Sequence, residues 1–342
     1  IYKGIKREFS YYKRFTYYVN PNLPYKTFIK QVGECGFSSI EEIQKAFSIE
    51  PVTKEFYKEI QNWYFWAFSE WEKGNLKFLL DNQDKSNYEE HIKINLIRLI
   101  TRIIFIWFIK EKDLIPNKLF DKKELKNIVK NFGSNSNYYN AILQNLFFAT
   151  LNTPLENRGW ALDKGYVINR SNYGVKNLYR YEDMFLIEKE EVLKLFKEIP
   201  FLNGGLFDCL DKEDPNGKVI YVDGFSRRED KRTIIPDYLF FKEKIERMDL
   251  SKYGLGKNEE VRGLIEILNN YNFTTDEATP IDQEIALDPE LLGKVFENLL
   301  ASYDDETATT ARKATGSYYT PREIVDYMVE ESLREYLKTK VP

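Results

Sequence analysis

His91-Ile92-Lys93-Ile94-Asn95-Leu96-Ile97-Arg98-Leu99-Ile100-Thr101-Arg102-Ile103-Ile104-Phe105-Ile106-Trp107-Phe108-Ile109 is the most hydrophobic run of the 342-residue chain. Its apolar residues do not alternate as a strand would; they surround a helix of 3.6 residues per turn. A helix over about residues 87–113, apolar nearly all round, belongs at the buried centre of a bundle. The longest uncharged run, residues 103–109, is far shorter than the roughly 20 residues needed to cross a bilayer. Arg98 and Arg102 stand one turn apart, and in a bundle they need partners or solvent. Pairing with a Glu is the structural expectation, and phosphate contact the alternative. His91 has no Cys, His or acidic neighbour at ligand spacing and reads as surface or core.

Working outward, the flanks are helical too. Phe56, Ile60, Trp63, Tyr64, Ala67, Phe68 and Trp71 form a wide aromatic stripe, closed by Gly74. Such a stripe is core rather than a cofactor box. Ser39 before Glu41 and Glu42 opens a shorter helix. Residues 119–131, 136–150, 188–198 and 264–271 read as further helices, with an Asn-, Gly- and Tyr-rich irregular segment at 152–180. Residues 11–19 look like a strand, and residues 219–222 like a short one.

The expected architecture is therefore mainly α, a helical bundle with short irregular β segments confined to about residues 10–20 and 155–225. Residues 94–109 should form the most buried helix, with Phe105 and Trp107 inaccessible. In Pro200-Phe201-Leu202-Asn203-Gly204-Gly205-Leu206-Phe207-Asp208 the paired glycines predict an unusual backbone at a structural corner packed by Phe201, Leu206 and Phe207. Residues 226–232, with Arg227, Arg228, Lys231 and Arg232, read as a solvated mixed-charge loop, with phosphate contact as the alternative.

Composition bounds the function. The length suggests about two domains, and 43% hydrophobic and 15% aromatic residues suffice for a substantial core. A net charge of −4 gives no overall basic field. Residues 1–30 are locally basic, with seven cationic residues against Glu8, interleaved with aromatics that could stack on single strands. Two cysteines and one histidine exclude a disulfide framework and a Cys/His zinc cluster, which fits a reducing cytoplasm. No metal ligand and no catalytic residue can be assigned, and no carboxylate cluster of a nuclease can be placed.

The stretch that points to chemistry lies near the end: Arg312-Lys313-Ala314-Thr315-Gly316-Ser317-Tyr318-Tyr319-Thr320-Pro321-Arg322-Glu323. Thr320 is a good N-cap, Pro321 falls at N1, and Glu323 at N3 completes a capping box. The helix continues with Ile324, Val325, Met328, Val329 and Leu333 at helical spacing. Its N-terminus suits an anion such as a carboxylate. Gly316 allows a tight backbone, and Tyr318 and Tyr319 can supply a flat wall. On spacing alone, a capped helix after a glycine loop is an ordinary structural feature.

The literal string goes further. Gly316-Ser317-Tyr318-Tyr319-Thr320-Pro321-Arg322-Glu323-Ile324-Val325, after Leu292-Gly293-Lys294-Val295-Phe296-Glu297, resembles the entry segment (motif X) of amino-group DNA methyltransferases from type I, type IIG and BREX-type phage-defence systems. Other stretches resemble type IIG restriction–modification proteins in the same order, among them residues 51–57, 105–116, 143–154, 179–185, 200–208 and 271–298. The resemblance implies a class I, Rossmann-like methyltransferase domain. It also implies S-adenosylmethionine (SAM) as cofactor, DNA as partner, and methyl transfer to adenine N6 after base flipping. It carries over Gly316, Tyr318, Tyr319, Thr320 and Pro321 as a partial cofactor wall.

The family's Gly-x-Gly cofactor loop and its Asn/Asp-Pro-Pro-Tyr/Phe tetrapeptide are absent from the chain, so no catalytic residue carries over. The expectation is a fragment, inactive alone, of an adenine-specific methyltransferase. An upstream nuclease and the downstream methyltransferase core would lie outside it. Residues 1–50 would be the tail of an upstream domain, 51–150 a helical connector, 151–285 a mixed region and 286–342 the start of the methyltransferase domain. The rival expectation is a free-standing, non-catalytic helical module that binds DNA or protein.

Overall fold

The computed structural model describes residues 14–17, 19–20, 25–79, 88–165, 176–202, 204–213, 215–216, 219–274, 282–284, 286–287, 293 and 322–340. The chain divides into two compact units, residues 1–292 and 293–342. The described residues are mainly helical, as the periodicity predicts, and their strands form only two-stranded pairs. No helix among them is long and apolar enough to cross a membrane.

In the first unit the order is β1 (Arg14–Thr16), α1 (Lys26–Phe28), α2 (Ile40–Ala46), α3 (Ile49–Glu72), α4 (Tyr88–Glu111) and α5 (Lys122–Ile128). A π-helix (Tyr138–Leu151) follows, then α6 (Lys189–Phe196), β2 (Lys212–Glu213), β3 (Val219–Ile220), α7 (Tyr238–Phe241), β4 (Glu246–Met248), β5 (Glu259–Val261), α8 (Leu264–Leu268) and β6 (Asp282–Glu284). β1 pairs parallel with β6, and β2 with β3 and β4 with β5 antiparallel. The β4–β5 hairpin and β6 fall outside the two expected zones. Glu246-Arg247-Met248 and Glu259-Glu260-Val261 are too short and too charged to show an alternating pattern.

Local chemistry accounts for the helix ends. Ser39 Oγ accepts the Glu42 N–H at 3.1 Å and caps α2 as its position predicts. Asp121 does the same for α5, accepting the Lys123 and Glu124 N–H groups. After α3, Gly74 takes φ +83°, a left-handed turn that suits glycine. The aromatic stripe of α3 is core: Phe56, Ile60, Trp63, Tyr64, Ala67 and Phe68 are all buried. Trp63 Nε1 also donates to Leu239 O at 2.6 Å, tying α3 to α7.

α4 is buried along most of its length, but it is not the most buried helix. Ile94 is 48% exposed and Phe105 is half-buried, against the expectation for both; Trp107 is 2% exposed, as expected. The π-helix is buried at all fourteen positions. The difference lies in the polar residues. α4 carries Lys93 and Arg98, whose charges keep one side near water. The π-helix carries Asn140, Gln144, Asn145 and Thr150, neutral groups that hydrogen bonds can satisfy in the interior. Asn145 Nδ2 donates to Arg180 O and its Oδ1 accepts the Arg180 N–H, while Asn140 Nδ2 reaches Thr233 O.

In the second unit, α9 (Arg322–Lys340) is the described element. Ile324, Val325, Met328, Val329 and Leu333, read as an apolar face, are each between 42% and 58% exposed.

Candidate functional site

A polar cluster among the described residues of the first unit is built on the two arginines of α4. Asp223 Oδ1 accepts from Arg98 Nη2 at 3.0 Å and from Arg102 Nη1 at 2.9 Å, and its Oδ2 accepts the Leu210 N–H at 2.7 Å. Arg102 Nε donates to Leu206 O and its Nη2 to Asp208 O, both at 2.8 Å. The guanidinium also lies 5.5 and 5.1 Å from the ring centroids of Phe147 and Phe148. The expected partner was a Glu; the actual one is an aspartate 121 residues further on. An aspartate this far along the chain has no signature in the helix that needs it.

Arg102 thereby explains the Gly204-Gly205 corner. Gly204 has an ordinary extended φ of −154°, and Gly205 is not among the residues with positive φ. The unusual backbone expected of the pair is absent. The corner instead turns the carbonyls of Leu206 and Asp208 toward the guanidinium. Phe207 is buried beneath it, while Phe201, expected to pack the corner, is 40% exposed.

A second carboxylate braces the first. Asp211 Oδ1 accepts the N–H groups of Val222, Asp223 and Gly224, and its Oδ2 that of Phe225. Burial, and then the charge of Asp223, push its carboxyl above the usual range despite these four donors. Gly224 sits at φ +59°, and a Cβ there would come within 2.7 Å of Thr233 N. Gln144 Nε2 donates to Asp223 O, and Tyr181 OH donates to Gln144 Oε1 and accepts the Ser226 N–H. These groups spend their hydrogen bonds on one another. Chemically the cluster is a latch between α4, the π-helix and residues 206–226, not a reaction centre.

The loop at 226–232 also departs from expectation. Ser226, Arg227 and Arg232 are buried. Arg232 donates to Ser226 O and Arg227 O and lies 5.0 Å from the Tyr181 ring centroid. The carbonyls of the loop and the face of Tyr181 provide what water would otherwise supply. Arg228 remains outside, paired with Asp230.

Other reactive side chains are structural. His91 Nε2 lies 3.0 Å from Leu79 O, and burial lowers its pKa. Burial, with the charges of Asp211 and Asp223, drives the Cys209 thiol far above its ordinary range, so a nucleophilic thiolate is disfavoured. A cleft of about 320 Å³ beside α3 and β5 is lined by opposite charges already paired, Lys58 with Glu259 and Arg262 with Glu59. No group of three or more His, Cys, Asp or Glu residues that could hold a metal occurs among the described residues.

Gly316, Tyr318, Tyr319, Thr320 and Pro321 lie outside the described residues. α9 runs from Arg322, directly after Thr320-Pro321. The sequence reading missed the buried acids Asp211, Asp223 and Asp237. Their one local signal is an isolated aspartate in an apolar or glycine-bearing setting, as in Val222-Asp223-Gly224-Phe225.

Comparison with known proteins places the chain in a broad context. It is similar to a protein of Methanocaldococcus jannaschii provisionally named a type II restriction enzyme and methyltransferase, with 26% identity over 304 residues. The match covers 83% of this chain and 19% of the relative, so the chain spans about a fifth of that protein's length. No family model matches the chain. No solved structure matches it either. The similarity is a distant relationship to restriction–modification proteins.

Proposed function

We propose that this chain serves a SAM-dependent, adenine-N6 DNA methyltransferase of a restriction–modification or phage-defence system. It would supply the helical connector and the first part of the cofactor site. The carrying observation is the similarity to a restriction enzyme and methyltransferase along 83% of the chain. The Gly316–Pro321 string agrees with it, and so does the start of a 19-residue helix immediately afterwards.

SAM supplies an activated methyl group on sulfur. The chain's own contribution is to binding and orientation. The N–H groups at the start of α9 would face the cofactor carboxylate, and Tyr318 and Tyr319 would flank the methionine chain. The buried latch around Asp223 would keep the connector rigid. Residues 286–342 begin the methyltransferase domain in this reading, which is of the class I, Rossmann-like type. The connector occupies 51–150, with the mixed region 151–285 behind it.

The gene containing this chain, expressed in a host without adenine methylation, should add N6-methyladenine to the host DNA. Mass spectrometry of the digested nucleosides reads the outcome. Methylcytosine instead, or no methylated base at all, would overturn the proposal.

A further inference from the structure

Several surface lysines of the described residues stand beside a carboxylate, as Lys30 with Glu55, Lys58 with Glu259, Lys93 with Glu89, Lys189 with Asp163 and Lys252 with Glu72. Other lysines form no ion pair, and in one short segment several of these fall close together in the sequence. Lys118, Lys123, Lys126 and Lys130 fall within thirteen residues, are exposed, and form no ion pair or side-chain hydrogen bond. Lys123 and Lys126 are one turn apart on α5. Of the nearby carboxylates, Asp121 caps α5, Glu243 pairs with Lys122 and also feels the charge of Lys126, and Glu124 and Asp183 form no ion pair.

The surroundings are those of a polyanion surface. Directly after Lys130 comes the loop Asn131-Phe132-Gly133-Ser134-Asn135, in which Asn131 and Asn135 are exposed, while the Ser134 hydroxyl donates to Asn131 O. Ammonium groups and amides are among the groups that contact sugar-phosphate backbones. The segment is also held at both ends. Lys122 Nζ donates to Phe241 O, while the Lys130 N–H bonds to Met184 O and the Leu186 N–H to Ile128 O. Four like charges on a fixed backbone repel one another, and a line of phosphates removes that repulsion.

We propose that the lysine face of residues 118–130, with the loop at 131–135, is a sequence-independent docking surface for a nucleic-acid backbone. That the nucleic acid is duplex DNA rests on the function proposed above; the surface itself does not.

The test uses the full chain and a short labelled duplex, followed by fluorescence anisotropy from low to physiological salt. A variant carrying Lys118→Gln, Lys123→Gln, Lys126→Gln and Lys130→Gln should bind at least tenfold more weakly at low salt. Its slope of log affinity against log salt should fall by roughly 3 to 4, at about 0.9 per phosphate contact. A control with Lys45→Gln, Lys197→Gln, Lys212→Gln and Lys257→Gln has the same net charge and should keep the wild-type slope. The corresponding four-fold Lys→Arg variant should restore binding. Equal losses in test and control variants would overturn the proposal, as would wild-type binding by the test variant or no duplex binding by the wild type. Loss of binding to phosphatidylserine vesicles with DNA binding intact would assign the face to membranes and overturn it as well. A separate SAM titration keeps the two readings apart: DNA held by the lysine face without SAM affinity would sink the methyltransferase reading and leave the docking surface standing.

Discussion

α4 and α9 are both long helices with apolar residues at helical spacing, and they end in opposite environments. α4 places Ile92, Leu96, Ile100, Ile103 and Trp107 in the core and closes two arginine charges over Asp223. α9 leaves Met328, Leu333, Tyr336 and Leu337 more than half exposed, and among the described residues its charges pair along the helix, as Arg334 with Glu330 and Lys338 with Glu335. Period therefore identifies a helix without fixing its burial. Burial follows from whether other segments offer a surface and, for charged helices, a counter-charge.

The sharpest way to break this contrast is to remove the counter-charge of α4. Asp223→Ala leaves the buried Arg102 without its acid and should destabilise the protein by about 3–5 kcal/mol. Urea unfolding reads this directly, and a loss below about 1 kcal/mol would show the latch to be incidental.

Trp107→Ala comes next, at roughly 3–5 kcal/mol, because the ring packs against Phe120 and Phe273 at 5.4 and 6.3 Å between centroids. The half-buried Phe105 should cost less when truncated to Ala. A reversed order would contradict the burial described for α4.

A pH experiment probes the start of the π-helix. At the π-helix, Asp237 accepts the Gly133 and Tyr138 N–H groups at 2.8 and 3.0 Å. Burial pushes its pKa up to about 6. A carboxyl whose pKa is raised on folding binds its proton more tightly in the folded state. Its contribution is thus most favourable below its unfolded pKa of 3.8 and declines as pH rises to about 6, by at most about 3 kcal/mol. Stability measured between pH 4 and 6 should fall more steeply in the wild type than in Asp237→Asn. Parallel curves would remove Asp237 from the account.

The smallest effect belongs to α9. Leu333→Ala should shift stability by less than about 0.5 kcal/mol, since the side chain is 56% exposed. A loss of core size would show that its surroundings cover it.

The parts of the fold legible in the sequence were those fixed by local rules. The α3 stripe, the Ser39 cap, the turn at Gly74 and the all-round apolar character of α4 are each written in neighbouring residues. What escaped depends on distant partners. Asp223 looks like any turn aspartate until Arg98 and Arg102 are brought to it. Arg232 looks solvated until the carbonyls of its own loop and the ring of Tyr181 enclose it, and Arg227 until Glu182 comes to stand 3.8 Å from it. The burial of residues 138–151 escaped because Asn140, Gln144 and Asn145 dilute the hydrophobic pattern, although hydrogen bonds let them stay inside. For the segment proposed to hold the cofactor, capping chemistry predicts a helix start beside Thr320-Pro321, and α9 is described from Arg322 onward. The role of that start comes from the literal string.

In the proposed reading, the start of α9 faces a ligand while the helices of the first unit are core. Calorimetric titration of SAM into the intact protein containing this chain and into its Thr320→Ala variant, below both melting temperatures, tests it most directly. Loss of the cap should lower stability by about 1 kcal/mol. Loss of a charge-assisted contact to the carboxylate, roughly 1.5–3 kcal/mol, should weaken SAM binding on the order of ten- to hundredfold, with DNA affinity unchanged. A lower melting temperature with SAM affinity intact would contradict the claim and make Thr320 an ordinary helix cap.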